Sequence, residues 1–511
     1  MKTRGGLKNK KSTPPNKKGR THISTLDTIV ASAEDSLLPG INYSLNNKRG
    51  ASFVHQRVLS TFFPVTSGVY SPTSQRGLKF MLSDAGNGFL DLASIRVSMR
   101  IRNLDGTNPL LLTGGHSACL FTWLQTRLRG QLVDDILMYN RLVGMLQKFN
   151  TPVHNYNQGV AMTGTEDDGQ TNVLVPPATG PAPAFIRHGL ALNGPGEEWI
   201  APNSSRTVVF DLPGCSLTNS HFLLWLNQFP LELSLEVVSS ATDVCAPGPY
   251  ITAAGTGQNL STTFELSDCE IKADLLILDS GIVESVSKAL AAGTPLNMPL
   301  RCWSQAMYPI SATGGSFSQN ITRPYSRLKA AYITFRPTKA KTTEGGIWTQ
   351  SNEFTCHHGG SPMDLYTAPT YNFNRDSYRM QVSIGSVLYP SNPIRSCAEQ
   401  YSQLVKAVGA LQEAVGLSIG PNYRSNAHIA GIDLEKVSGA TPAGGKASFT
   451  GISTKNSGEI RIVYENVQAD ADMAVGTADA NKYSYYPREL YVCLYYDATV
   501  QLRKSGVLYA D

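Results

Sequence analysis

The chain reads as an all-β protein with a few short helices, built on one plan used twice. Three observations carry that reading. Turn residues, including 45 Gly and 29 Pro, are spread between short apolar runs with no short period. The clearest of those runs alternate with period 2, as half-buried strands do. The order of elements after residue 117 (strands, helix, long loop, strands, long closing strand) returns after residue 326 without residue-level identity. A chain of 511 residues, 41% hydrophobic and 16% charged, is long enough for two or three domains or one large β-rich unit with a sizeable core.

Residues 1 to 24 contain KNKKSTPPNKKGR and read as a disordered basic arm. Lys2, Arg4, Lys8, Lys10, Lys11, Lys17, Lys18 and Arg20 give +8 over twenty residues with no acid. The other 36 basic residues face 39 acidic ones, so the body is near neutral. Such a cluster suits phosphate contacts, where counterion release supplies affinity, or a nuclear localisation signal, or a solvated tail. No aromatic residue interleaves for base stacking. Pro and polar residues follow the basic start, so no secretory signal is read, and no run of about 18 apolar residues suggests a transmembrane helix. The sequons at Asn42, Asn203, Asn259 and Asn320 then read as accidental. Eight cysteines without a CxxC pair read as reduced structural thiols.

Residues 25 to 75 form an extended lead-in with a strand candidate in VLSTFFPV (58 to 65). In DLASIRVSMRIRN, Ile95, Val97, Met99 and Ile101 alternate with Arg96, Ser98, Arg100 and Arg102, a strand whose arginine face suits an anion but reads better as solvated or interfacial. Strand character continues in 117 to 130. A helix is expected over 131 to 149, with Leu132, Ile136, Tyr139, Val143 and Leu146 on one face. Asp134 and Asp135 then fall in its first turn and Lys148 in its last, each favourable to the dipole. As neighbours on a helix the two aspartates diverge, which disfavours paired acid catalysis. Residues 151 to 205 hold 14 Gly or Pro and read as a long surface loop. Strands follow in RTVVFDL, HFLLWL and PLELSLEVVS, then a long strand running into a short helix over 264 to 293, where AAGTP marks a boundary.

The second half repeats the plan with a strand at 326 to 337, a loop to 376, the stretch 378 to 416, a loop over 417 to 457, and strands at 458 to 466 and 489 to 509. Tyr378 to Gly416 is the best-specified stretch. Met380, Val382 and Ile384 form a strand ended by Gly385. Pro390 and Pro393 bracket a turn. Ser396 and Glu399 make a capping box, whose serine contributes about 1 kcal/mol. Ala398, Tyr401, Leu404, Val405, Val408 and Leu411 follow at helical spacing.

This stretch resembles a signature block of double jelly-roll major capsid proteins of small eukaryotic double-stranded DNA viruses, of the Polinton-like virus, adintovirus and virophage type. The matching residues are Gln381, Gly385, Tyr389, Pro390, Pro393, Ile394, Ser396, Glu399, Tyr401, Leu404, Lys406 and Gly409, with the Glu399–Tyr401 spacing one residue shorter than the family pattern. GQLVDDILMYNRLVGML resembles a second family block at Val133, Asp134, Asp135, Ile136, Tyr139, Asn140, Met145 and Leu146. The resemblance implies two eight-stranded antiparallel jelly rolls in tandem, over 25 to 293 and 294 to 511. It implies a homotrimer of hexagonal outline, with 151 to 205 as an outward tower and the arm facing inward. It also implies an icosahedral virion shell around a double-stranded DNA genome. Penton and minor capsid proteins, neighbouring capsomers and DNA at the arm are then the partners.

Catalytic patterns are not found in the sequence, so the chain reads as a non-enzyme without cofactor. Cys356, His357 and His358 are adjacent, and adjacent residues rarely wrap one ion. GATPAGGKAS (439 to 448) has the wrong glycine spacing and Ala447 in place of Ser/Thr for a phosphate-binding loop. The alternatives are a carbohydrate-binding or carbohydrate-active β-sandwich and a basic-tailed nucleic-acid-binding protein. Five Trp, at 123, 199, 225, 303 and 348, form no evident stacking platform, and the near-neutral body supports the last reading poorly.

Overall fold

The computed structural model describes residues 54–510 except 67, 113–115, 151–171, 176–183, 188–199, 219, 221, 246–249, 252–256, 259–260, 311–314, 338–378, 410–427, 436–450, 456–458 and 468–486. Ser52–Asp511 form one compact unit. Eight strands build a first pair of sheets: β1 (Val54–Phe62), β2 (Gly77–Leu82), β3 (Arg96–Asn103), β4 (Phe121–Leu128), β5 (Gln131–Ile136), β6 (Ser205–Phe210), β7 (Leu231–Val237) and β8 (Phe264–Leu278). They are ordered β1-β8-β3-β6 and β2-β7-β4-β5, all antiparallel, with Gly88–Asp91 and Leu223–Trp225 extending the first sheet beside β8.

Eight more strands repeat the arrangement: β9 (Leu296–Pro309), β10 (Gly315–Ile321), β11 (Leu328–Pro337), β12 (Arg379–Ile384), β13 (Val387–Ile394), β14 (Ala430–Asp433), β15 (Ile460–Val467) and β16 (Pro487–Arg503). Their order is β9-β16-β11-β14 and β10-β15-β12-β13, and Gly506–Ala510 folds back on β16. Counted within each half, both sets read 1-8-3-6 and 2-7-4-5. That order is the jelly roll, and it occurs twice. The sequence reading did not anticipate β2, β9 or β10, and β14 lies inside the loop it expected over 417 to 457.

Alternation explains the cores. Ile95, Val97, Met99 and Ile101 are buried, as are Leu231, Leu233, Leu235 and Val237 of β7. In the second half Phe317, Phe335 and Tyr464 interlock from three strands, with ring centroids 5.2–6.5 Å apart. Strand β16 is buried on both faces: Leu490, Val492 and Leu494 on one side, Tyr491, Cys493 and Tyr495 on the other. Cys119, Cys215, Cys245, Cys269, Cys302 and Cys493 are buried free thiols.

Three expectations change. Residues 131 to 136 are strand β5, and the helix α1 is only Tyr139–Lys148. Arg129 (φ 48°) and Gly130 (φ 81°) both take positive φ, the two-residue turn that matches strand twist, so Gln131 pairs with Leu128 and Ile136 with Leu124. Asp134 and Asp135 are therefore not in a helical turn and do not serve a dipole. Leu132, expected on a helix face, is exposed.

Second, the Pro-bounded segment after Ile384 is the strand β13, and the turn lies at Gly385 (φ 60°). Pro390 and Pro393 are tolerated because β13 is the outer strand of its sheet. Third, helix α3 (Cys397–Gly409) buries Gln400, Leu404, Ala407 and Val408, while Ala398 and Val405 face outward. Its cap forms as expected on one side: the Glu399 N–H donates to Ser396 Oγ at 3.1 Å. The return arm reaches one residue further back, with Arg395 N–H donating to Glu399 Oε2 at 2.7 Å. Leu411 lies outside the described residues. Helix α2 (Ser280–Ala291) follows β8 as expected, capped by Asp279 Oδ1 accepting from Gly281 N–H at 2.8 Å, and ends before Gly293 at φ 84°.

Candidate assembly surfaces

The two jelly rolls meet through β5 and α1 of the first half. Strand β5 is the outer strand of its sheet and lies against β9 and Gly506–Ala510. All ten residues of α1 are buried, Arg141 and Lys148 included. One side of the helix rests on a 3-10 turn at Ser117–Leu120 and on β4; the other meets the sheet containing β16. The Arg141 guanidinium lies 5.8 Å from the Tyr491 ring centroid, and Phe149 packs 5.2 Å from Tyr332. Tyr332 also donates its hydroxyl to Ala407 O of α3 at 2.8 Å, so one aromatic residue sits beneath both helices. Gln305 of β9 accepts from Met138 N–H at 2.9 Å and donates back to Met138 O at 3.5 Å. Arg129 Nη1 donates to Lys504 O at 2.9 Å.

The 3-10 turn is held by a histidine. His116 Nδ1 accepts from Ala118 N–H at 3.1 Å, so its other nitrogen carries the proton and points at Asp211 Oδ1, 2.9 Å away. Burial works against ionising Asp211, but the hydrogen bond from His116 and the positive charge of Arg96 outweigh it and hold the carboxyl down at about 2. Asp134 is a buried residue of β5, and its Oδ2 accepts from Thr126 Oγ1 at 3.0 Å and Ser216 N–H at 3.1 Å; burial pushes its pKa up against those bonds. Asp135 accepts from Trp123 Nε1 at 2.7 Å. Both aspartates are structural acceptors.

The arginines of β3 are paired rather than open to a ligand. Arg100 meets Asp268 at 3.2 Å, Arg102 meets Glu265 at 3.1 Å, and Arg96 donates to Ala93 O and Ile95 O. Trp225 stacks on Phe89 and Trp303 packs on Tyr332 and Tyr495, so neither offers a platform for a sugar. Lys2, Arg4, Lys8, Lys10, Lys11, Lys17, Lys18 and Arg20 lie outside the described residues, as do Cys356, His357, His358 and the 439 to 448 stretch. Among the described residues no three metal-ligating side chains come together, and no helix is long and apolar enough to cross a membrane.

Among the described residues, two groups of exposed apolar side chains lie on strands and their flanks, while Met81, Leu104, Leu132, Leu137 and Leu508 are exposed elsewhere. On β1 and the segment after it, Leu59 is 65% exposed and Phe63 69%, with Val58, Val65 and Val69 also open. On β13, Val387 is 52% and Leu388 46% exposed, and Val405 of α3 is open as well. Sequence reasoning missed both surfaces, because an alternating strand does not say which of its faces a neighbour covers.

No protein-family model and no curated protein sequence matches the chain. Solved structures do. The chain is similar to a chain of the Sputnik virophage structure with a TM-score of 0.54 at 11% identity, covering 91% of each chain. It is similar to VP54 of PBCV-1 with a TM-score of 0.53 at 9% identity, covering 90% of this chain and 98% of that one. The Faustovirus major capsid protein gives 0.51 at 9% identity, over 91% and 92%. The shared feature is the fold, and these neighbours are double jelly-roll capsid proteins of viruses.

Proposed function

We propose that this chain is the major capsid protein of a double-stranded DNA virus: a non-catalytic subunit that trimerises into pseudo-hexameric capsomers and self-assembles into an icosahedral shell. The observation that carries the reading is the doubled 1-8-3-6 and 2-7-4-5 strand order, matched over about nine-tenths of both chains in viral capsid subunits. With two jelly rolls in each chain, three copies take the outline of six. On this reading 25 to 293 and 294 to 511 are the two jelly rolls and 151 to 205 an outward tower. Residues 1 to 24 face the shell interior, where Lys2, Arg4, Lys8, Lys10, Lys11, Lys17, Lys18 and Arg20 meet the genome or tie capsomers together. Penton and minor capsid proteins are the other partners, and the virion is the location.

Light scattering on the purified chain after size exclusion, followed by negative-stain microscopy, tests the proposal. Trimers and larger particles are expected. A chain that stays monomeric across salt and concentration sinks it. Deleting residues 1 to 20 is expected to leave trimers intact while weakening genome packaging or localisation; a monomeric truncation product refutes that division of labour.

A further inference from the structure

Strand β11 lies between β16 and β14 in its sheet, and Lys329 of β11 meets a carboxylate from the direction of each neighbour. Its Nζ stands 3.2 Å from Oε1 of Glu435, just past the end of β14, and 3.6 Å from Oδ2 of Asp497 on β16. The Lys329, Asp497 and Glu435 side chains are only 4%, 8% and 12% exposed, and the Tyr495 ring centroid lies 5.9 Å from Nζ. Backbone bonds fix all three positions. Lys329 O accepts from Leu434 N–H at 2.8 Å, Asp497 N–H donates to Arg327 O at 3.0 Å, and Glu435 N–H donates to Asp433 Oδ1 at 3.0 Å. As a stabilising device the cluster is a poor one, because a dry ion pair is often no better than apolar packing and here a second acid is added. What the arrangement does supply is proximity. An amine and a carboxyl held together react as one molecule, with the entropy of their meeting already lost. Exclusion of water also favours passing a proton from ammonium to carboxylate over keeping two buried charges.

We propose that Lys329 and Asp497 condense into an intramolecular amide, with Glu435 as the proton carrier. Glu435, the nearer carboxylate, takes a proton from the Lys329 ammonium at hydrogen-bond distance. The freed electron pair of Nζ attacks Asp497 Cγ, the C–N bond forms, and one Cγ–O bond breaks. The oxygen leaves as water with two protons, one returned by Glu435 and one from the nitrogen. Ammonium and carboxylate become amide and water, with no change of oxidation state and no co-reactant. The bond ties β16 to β11, the two strands at the centre of that sheet. It forms only after β16 has docked, and from then on holds that strand covalently. The proposal goes beyond the capsid reading and does not depend on it.

Mass spectrometry of the purified full-length chain tests it. The denatured protein is expected to weigh one water less than its sequence. A tryptic digest is expected to contain a branched peptide, uncut after Lys329 and joined to the peptide that carries Asp497. Lys329→Arg keeps a cation between the acids but is not expected to condense, so it should show the full sequence mass and a linear digest. Glu435→Gln removes the proton carrier and is expected to leave most chains unlinked. Unmodified protein at its full sequence mass, with a linear digest, overturns the proposal and leaves the three groups as a buried ion cluster. A branch from Lys329 to Glu435, or a water lost from Lys329→Arg as well, overturns the assignment of the bond to Asp497. Complete linkage in Glu435→Gln overturns the role given to Glu435. The unmodified protein carries the deciding readout, so a variant that fails to fold does not shield the proposal. None of these results bears on the capsid reading, which the measurements of oligomer size test separately.

Discussion

Gln305 holds the backbone of Met138 at two points, accepting from its N–H at 2.9 Å and donating to its carbonyl at 3.5 Å. A side-chain amide thus imitates one rung of a β-ladder between the two jelly rolls, where the chain turns from β5 into α1. Replacing Gln305 by Met keeps the length and removes both bonds. It is expected to cost about 1–3 kcal/mol, since Met138 N–H loses its partner at a part-buried site. Gln305→Glu keeps an acceptor for the N–H but turns a second oxygen toward the carbonyl, and should destabilise at least as much. Thermal unfolding of the three proteins gives the comparison.

Ser396→Ala removes one arm of the α3 cap and leaves the other, Glu399 Oε2 to Arg395 N–H, in place. The expected loss is about 1 kcal/mol. Hydrogen exchange at the Glu399 amide is the local readout. It should accelerate in Ser396→Ala, while amides of β12 keep their protection.

Gly431 is where α3 lies against β14. A Cβ added there would stand 2.9 Å from both Leu404 Cα and Ala407 Cβ, and the first of these is backbone that cannot rotate away. Gly431→Ala should push the helix off the sheet and cost about 1–3 kcal/mol, with the hydroxyl bond from Tyr332 to Ala407 O weakened in step. Denaturant unfolding measures the loss, and an unchanged midpoint would contradict this close approach.

Asp211 links stability to acid. Its folded pKa, near 2, lies below the ordinary carboxylate value, so the His116 contact stabilises the fold fully above pH about 4 and fades as pH falls through about 2. Asp211→Asn cannot lose that contribution on acidification. Its unfolding free energy should be lower than the unmodified protein's at neutral pH, and the gap should shrink between pH 4 and 2. A gap constant over that range would show the pairing does not titrate.

Some of this was legible in the residues and some was not, for physical reasons. The alternation of Val97, Met99 and Ile101 names the buried face of β3 because a strand's side chains have period 2 whatever surrounds them. Ser396 and Glu399 name a helix start because capping is local. LVDDILMYN misled because Leu132, Ile136 and Tyr139 also satisfy helical spacing. The deciding signal was the Arg129–Gly130 turn, where a primed turn requires positive φ at both residues. Strand β9 was missed because the first half covers part of its outer side, so its apolar positions do not alternate cleanly. The Gln305–Met138 pair spans 167 positions, and no local pattern encodes such a meeting.

The doubled strand order has a consequence in time. In each half the eighth strand lies between the first and the third, so it is the last to be made and the one that joins them: β8 between β1 and β3, β16 between β9 and β11. Neither four-stranded ladder can close while its final strand is still being synthesised, and pairings this distant in sequence form slowly. The second half waits longest, because β16 begins only at Pro487. A chain stopped before that point would hold β9 and β11 with facing edges empty, a state prone to pairing with other chains. Building the central strand last therefore withholds a closed second sheet from any chain that has not been translated almost to residue 511.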